Sequence, residues 1–147
     1  MSREIKFRAW WADQKIMVYE VGVSARGDSF KWGHKSTRVM WPAMFPRQLT
    51  MQYTGLKDKN GKEIYEGDIL REVIGINMYT YLVKFGQYKD CDDWGNYEES
   101  GNGWYIYDLK DGEIDGFRNS SECLIIGNMY ENPELLKGTS HETKAVD

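Results

Sequence analysis

YTGLKDKNGKEIYEGDI, residues 53–69, is dense in turn chemistry and holds no catalytic pattern, so it bears on a fold before it bears on a reaction. Asn60-Gly61 is the dipeptide that enters positive φ at least cost, and a two-residue hairpin loop needs such dihedrals to match the twist of its strands. A tight turn is expected there. Lys57, Asp58 and Lys59 before it, with Lys62 and Glu63 after, keep both arms wet, and Leu56 and Ile64 are the flanking apolar residues. Gly67-Asp68 supplies a second turn, which Asp68 can hold by accepting backbone N–H groups in an Asx arrangement. Ile69, Leu70, Val73 and Ile74 follow as the expected start of a buried strand.

Asp58, Asn60 and Asp68 also invite comparison with a calcium loop. An EF-hand loop needs oxygen ligands at its first, third and fifth positions, glycine at the sixth and glutamate at the twelfth. Counted from Asp58, those last three places hold Lys62, Glu63 and Ile69. The loop fails as a calcium site on all three.

Working outward, Ile5, Phe7 and Ala9 alternate with Lys6, Arg8 and Trp10, the pattern of a half-buried strand. Ala12 to Lys15 turns the chain into a second run, Ile16 to Val21, and the pair reads as an opening hairpin. Residues 22–50 lose this regularity, broken by Gly22, Gly27, Gly33, Pro42 and Pro46, with a short strand at most over residues 28–32. Met51 to Thr54 re-enters the sheet. Tyr79 to Phe85 alternates strongly, with Tyr81, Val83 and Phe85 on one face and Leu82 and Lys84 on the other. Residues 86–103 read as a long polar excursion, after which Trp104 to Leu109 alternates again, Lys110 to Glu113 turns, and Ile114 to Phe117 is a short partner strand. Residues 123–130 read as a buried final strand with a Gly-Asn bend. Asn132 to Leu136 can open one helical turn, because proline tolerates the first helical position. Residues 138–147 have no apolar periodicity and read as a flexible tail.

With 147 residues the chain can bury about two thirds of its unfolded surface, enough for one domain, here residues 1–137. Six Trp, ten Tyr and 15 Gly favour strands and tight bends over helices. The expected fold is mainly β: a partly open or SH3-like barrel, or a strongly coiled antiparallel sheet, with a short C-terminal helical turn. No apolar stretch is long enough to span a membrane, and the amino-terminal residues enter a strand pattern without a signal core. The expectation is an intracellular protein.

Only two cysteines, Cys91 and Cys123, and two histidines, His34 and His141, are present, in no metal-ligand spacing. Free thiols and no cofactor are expected. No GxSxG or HExxH motif occurs, and catalysis is not expected.

Charge is uneven. Arg26, Lys31, Lys35, Arg38 and Arg47 face a single acid, Asp28, within residues 24–50, and Trp32 lies among them. A basic groove with stacking aromatics is how single-stranded nucleic acid is held, although the net charge of −4 opposes attraction by the chain as a whole. Asp90, Asp92, Asp93, Glu98 and Glu99 form the opposite kind of segment, an acidic surface suited to a basic protein partner or, as an alternative, to a divalent ion.

Four stretches in order, REIKFRAW at 3–10, KIMVYEV at 15–21, MQYTGLKDKNGKEIYEGDIL at 51–70 and LIIGNMYENPELL at 124–136, resemble the YopX family of bacteriophage and prophage proteins. The resemblance spans roughly residues 3–136 and implies a mostly β domain of unknown function. It carries over Gly55, Asp58, Asn60, Gly61, Glu66, Gly67 and Asp68 as central-motif residues, and Gly127, Asn128, Tyr130, Glu131 and Asn132 as end-motif residues. Trp11 departs from the polar or acidic residue that often follows AW in the family. The reading that follows is a non-enzymatic interaction module of a phage, meeting a host or phage protein, with homo-oligomerisation as a further way to cover exposed tryptophans and strand edges. Nucleic-acid binding through residues 26–47 is the first alternative and a divalent-metal enzyme the second.

Overall fold

A computed structural model describes residues 4–31, 43–91, 97–117 and 119–137. The chain divides into two compact units, residues 1–55 and 56–147. Among the described residues all regular structure is β-strand apart from two short 3-10 turns, Arg47–Leu49 and Pro133–Leu136. The mainly β reading and its single C-terminal helical turn are met. No helix among the described residues is long and apolar enough to cross a membrane.

In the first unit β1 (Phe7–Trp11) and β2 (Ile16–Tyr19) form the expected hairpin, with Ala9 opposite Val18 and Trp11 opposite Ile16. β3 (Gly22–Val23), β4 (Ser29–Lys31) and β5 (Ala43–Phe45) make a small antiparallel sheet. Gly22 is required there, because a Cβ would lie 2.6 Å from the Phe30 ring. β6 (Thr50–Lys57) pairs with the other edge of β1, Phe7 opposite Gln52, and carries the chain into the second unit. Ala9, Val18, Val21, Ala43 and Phe45 form the core, and Trp11 packs against it with its ring edge-on to Phe45 at 5.6 Å. The tryptophan that departs from the family pattern is therefore a packing residue. Alternation in β1 is less clean than expected: Arg8 is buried as fully as Ala9, while Ile5 is exposed.

The second unit begins with β7 (Glu63–Tyr65) and continues through β8 (Asp68–Ile74), β9 (Asn77–Cys91), β10 (Tyr97–Asp108), β11 (Ile114–Gly116) and β12 (Cys123–Asn128). The last five form an open antiparallel sheet in the order β11-β10-β9-β8-β12. Ile64, Leu70, Val83, Phe117 and Cys123 are its core, flanked by Leu56, Tyr81, Trp104, Ile106 and Ile125. A register shift between Ile125 and Gly127 bulges β12, which adds local twist where the family's end motif begins.

Four sequence expectations change here. The tight turn at Asn60-Gly61 is present but has three residues: Gly61 N–H donates to Asp58 O and Asp58 N–H to Lys62 O. Only Gly61, at φ +82, takes the left-handed conformation, the arrangement of a type I turn closed by a glycine bulge. Residues 86–91 and 97–103 are paired strand and not irregular chain. β9 runs on to Cys91 and β10 starts at Tyr97, because the one place where the pairing needs unusual dihedrals has glycine on both strands: Gly86 (φ +146) lies opposite Gly103 (φ +151). Polarity there marks a two-stranded ribbon wet on its faces. Val73 and Ile74 end β8 exposed instead of buried, since β12 stops pairing at Glu72. The last strand is also wetter than its apolar sequence suggests, with Leu124 exposed and only Cys123 and Asn128 fully buried.

Candidate functional site

Carboxylates in the two family motifs converge on backbone groups. Asp58 is buried, its Oδ1 accepts from the N–H of Asn60 and of Lys62 at 2.9 Å each, and its Oδ2 accepts from the Ile125 N–H at 3.1 Å. One carboxylate thus closes the turn and ties it to β12. Lys59 N–H donating to Cys123 O and Ser120 Oγ donating to Lys57 O complete the clamp. Asp68 holds the second turn as expected of an acceptor, but by reaching back to the Tyr65 N–H at 2.8 Å. In the end motif Asn128 Oδ1 accepts from Tyr130 and Glu131, and Asn132 Oδ1 accepts from the Asn128 N–H. Gly127 must be glycine because a Cβ would lie 2.5 Å from that Asn132 oxygen. A charge whose lone pairs are filled by fixed amides is a structural acceptor, poorly placed to move protons. These motifs build the fold.

The outer part of the β9–β10 ribbon differs. Past Val83 and Trp104 neither strand has another ladder neighbour among the described residues, so the two run on as a pair. Register places Asp90 opposite Glu99 near the end of this pair, with Glu98 adjacent on β10. Asp92 and Asp93 lie outside the described residues, between the two strands. The hairpin thereby brings Asp90 and Glu99 to one pair of positions.

Beside these acids one face of the ribbon carries aromatics that sequence inspection did not select. Tyr88 and Tyr105 lie 5.5 Å apart at 38°, and Lys84 Nζ sits 4.9 Å from the centre of the Tyr107 ring. Tyr88 reclines across Gly101, where any Cβ would overlap its ring. The opposite face pairs Phe85 with Trp104 at 4.8 Å. Alternating Tyr105 and Tyr107 were visible in the sequence, but their meeting with Lys84 and Tyr88 depends on the register of the long hairpin.

Of the basic set, Arg26, Lys31 and Arg47 lie among the described residues. Lys31 Nζ donates to the carbonyl oxygens of Tyr19 and Glu20 at 2.9 and 3.2 Å, so its ammonium caps the end of β2, where Glu20 takes φ +56. Arg26 and Arg47 are exposed, and the Arg47 N–H donates to Asp28 Oδ1. Trp32, Lys35 and Arg38 lie outside the described residues.

Among the described residues no three His, Cys, Asp or Glu side chains converge as a metal site. Cys123 is a free, buried thiol; burial, then Glu72, Glu122 and Asp58, push its pKa up to about 11. The Tyr81 hydroxyl, which donates to Glu72, is raised well above the usual phenol range by burial and by that carboxylate.

The family model described as YopX protein matches residues 6–137. No curated protein matches the chain. Among solved structures, the crystal structure of protein EF1440 from Enterococcus faecalis is similar over 92% of this chain and 99% of that one, with 24% identity and a TM-score of 0.50. At that identity the likeness is one of fold.

Proposed function

We propose, from the premise that the chain belongs to the YopX family of bacteriophage and prophage proteins, that it is a non-enzymatic accessory module that binds a basic host or phage protein in the bacterial cytoplasm. The observation that carries this reading is the outer β9–β10 ribbon, where Asp90 and Glu99 share a register position next to the Tyr88, Tyr105 and Tyr107 face. Tyrosine offers large contact area with few rotatable bonds, and carboxylates at the rim steer a cationic partner and set its orientation. The buried motif carboxylates support the same reading from the other side. Asp58 and Asp68 act as structural acceptors, so the two buried carboxylates of the central motif serve the fold.

The test compares the wild-type chain with the Asp90→Asn/Glu98→Gln/Glu99→Gln variant for binding of a fluorescent lysine-rich peptide by anisotropy. Binding that weakens with added salt, and at least tenfold in the variant, is the expected result. Equal affinity in both proteins would overturn the proposal, as would peptide binding unaffected by salt.

A further inference from the structure

At the other end of β9 the β8–β9 hairpin also outruns its neighbours. β12 pairs with β8 only as far as Glu72, and β10 pairs with β9 only from Tyr81 onward, with the Leu109 N–H still donating to Thr80 O, so residues 73–78 project as a two-stranded finger. Ile74 opposite Asn77 closes the finger in two residues, Gly75 (φ +63) and Ile76. Glycine at the first loop position with an ordinary second residue is the type II′ turn that suits strand twist.

The finger exposes apolar side chains on every side. Val73 and Met78 are opposite each other and share one face, exposed by 61% and 58%; Ile74, on the other face, is 55% exposed; Ile76 at the tip is fully exposed. No charged residue occurs from Val73 to Tyr79. Together these side chains present on the order of 500 Å² of apolar-residue surface, at the upper end of what a monomer's largest patch offers.

We infer that this finger is a self-association surface, and that its occupant is the finger of a second copy of the same chain. A two-fold interface requires a patch that complements itself. An uncharged apolar ribbon does so, whereas the acidic ribbon at the far end of β9 would repel its own copy. Packed through the Val73–Met78 face and the Ile76 tip, two fingers bury on the order of 800 Å² at most, less than a standard stable interface, so the dimer is weak and dissociates on dilution. The open backbone edges of the finger add unpaired N–H and C=O groups that a second ribbon can satisfy. A lipid surface fits less well, because a chain of net charge −4 is not drawn to an anionic bilayer and the nearest flanking charges, Arg71 and Glu72, cancel.

Light scattering coupled to size exclusion, repeated over a concentration series of the full chain, tests this. The wild type is expected as a dimer at about 100 μM that dissociates as it is diluted toward micromolar concentration, the range that a minimal interface supports. Ile76→Lys and Met78→Lys, substitutions at exposed positions that leave the core and the far-ultraviolet circular dichroism unchanged, are expected to hold the chain monomeric throughout. A wild-type chain that stays monomeric across the series overturns the inference, as do lysine variants that dimerise as strongly as the wild type. Flotation of the wild type, but not of Ile76→Lys, with neutral phosphatidylcholine vesicles would also overturn it, in favour of a lipid occupant. The acidic-ribbon variant is expected to dimerise normally, so this result and the peptide-binding result fail independently.

Discussion

Asp58 and Asp90 are the same residue type in the same unit, and they are used in opposite ways. Asp58 sits where three backbone N–H groups point inward from its own turn and from β12, so its charge is neutralised by fixed dipoles. Asp90 sits near the end of a two-stranded ribbon, opposite another acid and beyond the reach of any further strand among the described residues. Asp58 becomes a structural acceptor because its own turn and β12 surround it, while the backbone at Asp90 has no strand beside it among the described residues except β10.

The contrast is broken most severely by Asp58→Ala, which leaves three part-buried backbone N–H groups without their charged acceptor. A loss on the order of 3 kcal/mol or more is expected in urea unfolding, with Asp58→Asn costing about half as much because its amide oxygen still accepts. If Asp58→Ala unfolds at the wild-type midpoint, the clamp contributes nothing and the distinction collapses.

Alkaline titration probes the same interior. The Cys123 thiol rises from its ordinary 9.0 to about 11 in the folded chain, so the native state keeps its proton longer than the unfolded state. The contribution of this group to stability is therefore constant below about pH 9 and is lost as pH rises toward 11, with a limiting slope near 1.4 kcal/mol per pH unit. Tyr81, shifted in the same direction, adds to the loss at still higher pH. Cys123→Ala should remove the first part of this decline in pH-dependent melting and leave the second. A wild-type melting temperature that rises between pH 9 and 11 would contradict the burial of that thiol.

A smaller and local effect is expected at the paired glycines. Gly86→Ala or Gly103→Ala forces a side chain into a dihedral region it rarely adopts, at a cost of about 1–2 kcal/mol. Neither has an atom within 4 Å of its Cβ position, so the cost is backbone strain without collision. Hydrogen exchange should quicken about tenfold or more for amides of residues 84–91 and 97–104, while those of β8 and β12 keep wild-type protection. Equal acceleration across the sheet would mean the ribbon is not a separate stability unit.

The smallest effect on stability belongs to the acidic end. Asp90→Asn, Glu98→Gln and Glu99→Gln together are expected to change unfolding free energy by less than about 0.5 kcal/mol, the usual size for substitutions away from a packed core. Their effect is reserved for peptide affinity. A large destabilisation would place these acids in the same class as Asp58.

Much of this was legible along the chain. The opening hairpin, the turn at Asn60-Gly61, the strands at Met51, Ile69, Tyr79, Trp104, Ile114 and Cys123, and the helical turn at Pro133 all follow from alternation and from residues that set φ. The acidic and basic segments were visible as composition, while the register of Asp90 with Glu99 and the bonds from Lys31 to the carbonyls that end β2 depend on tertiary structure. Polarity misled at residues 86–103: a low apolar content was read as loop, when a ribbon solvated on its faces needs no more apolar residues than a loop does.

The sequence by itself determined where strands begin and turn, because both depend on dihedral preferences and side-chain periods that act over a few residues. It also determined family membership, through long ordered motifs. Only tertiary structure decided that Asp58 is a clamp, that Tyr88 and Tyr105 meet, and that Val73 to Met78 stand in water. Each of these depends on strand register and on which neighbour ends first, as with the bond between Asp58 and Ile125 across 67 residues, and no local preference encodes such a pairing.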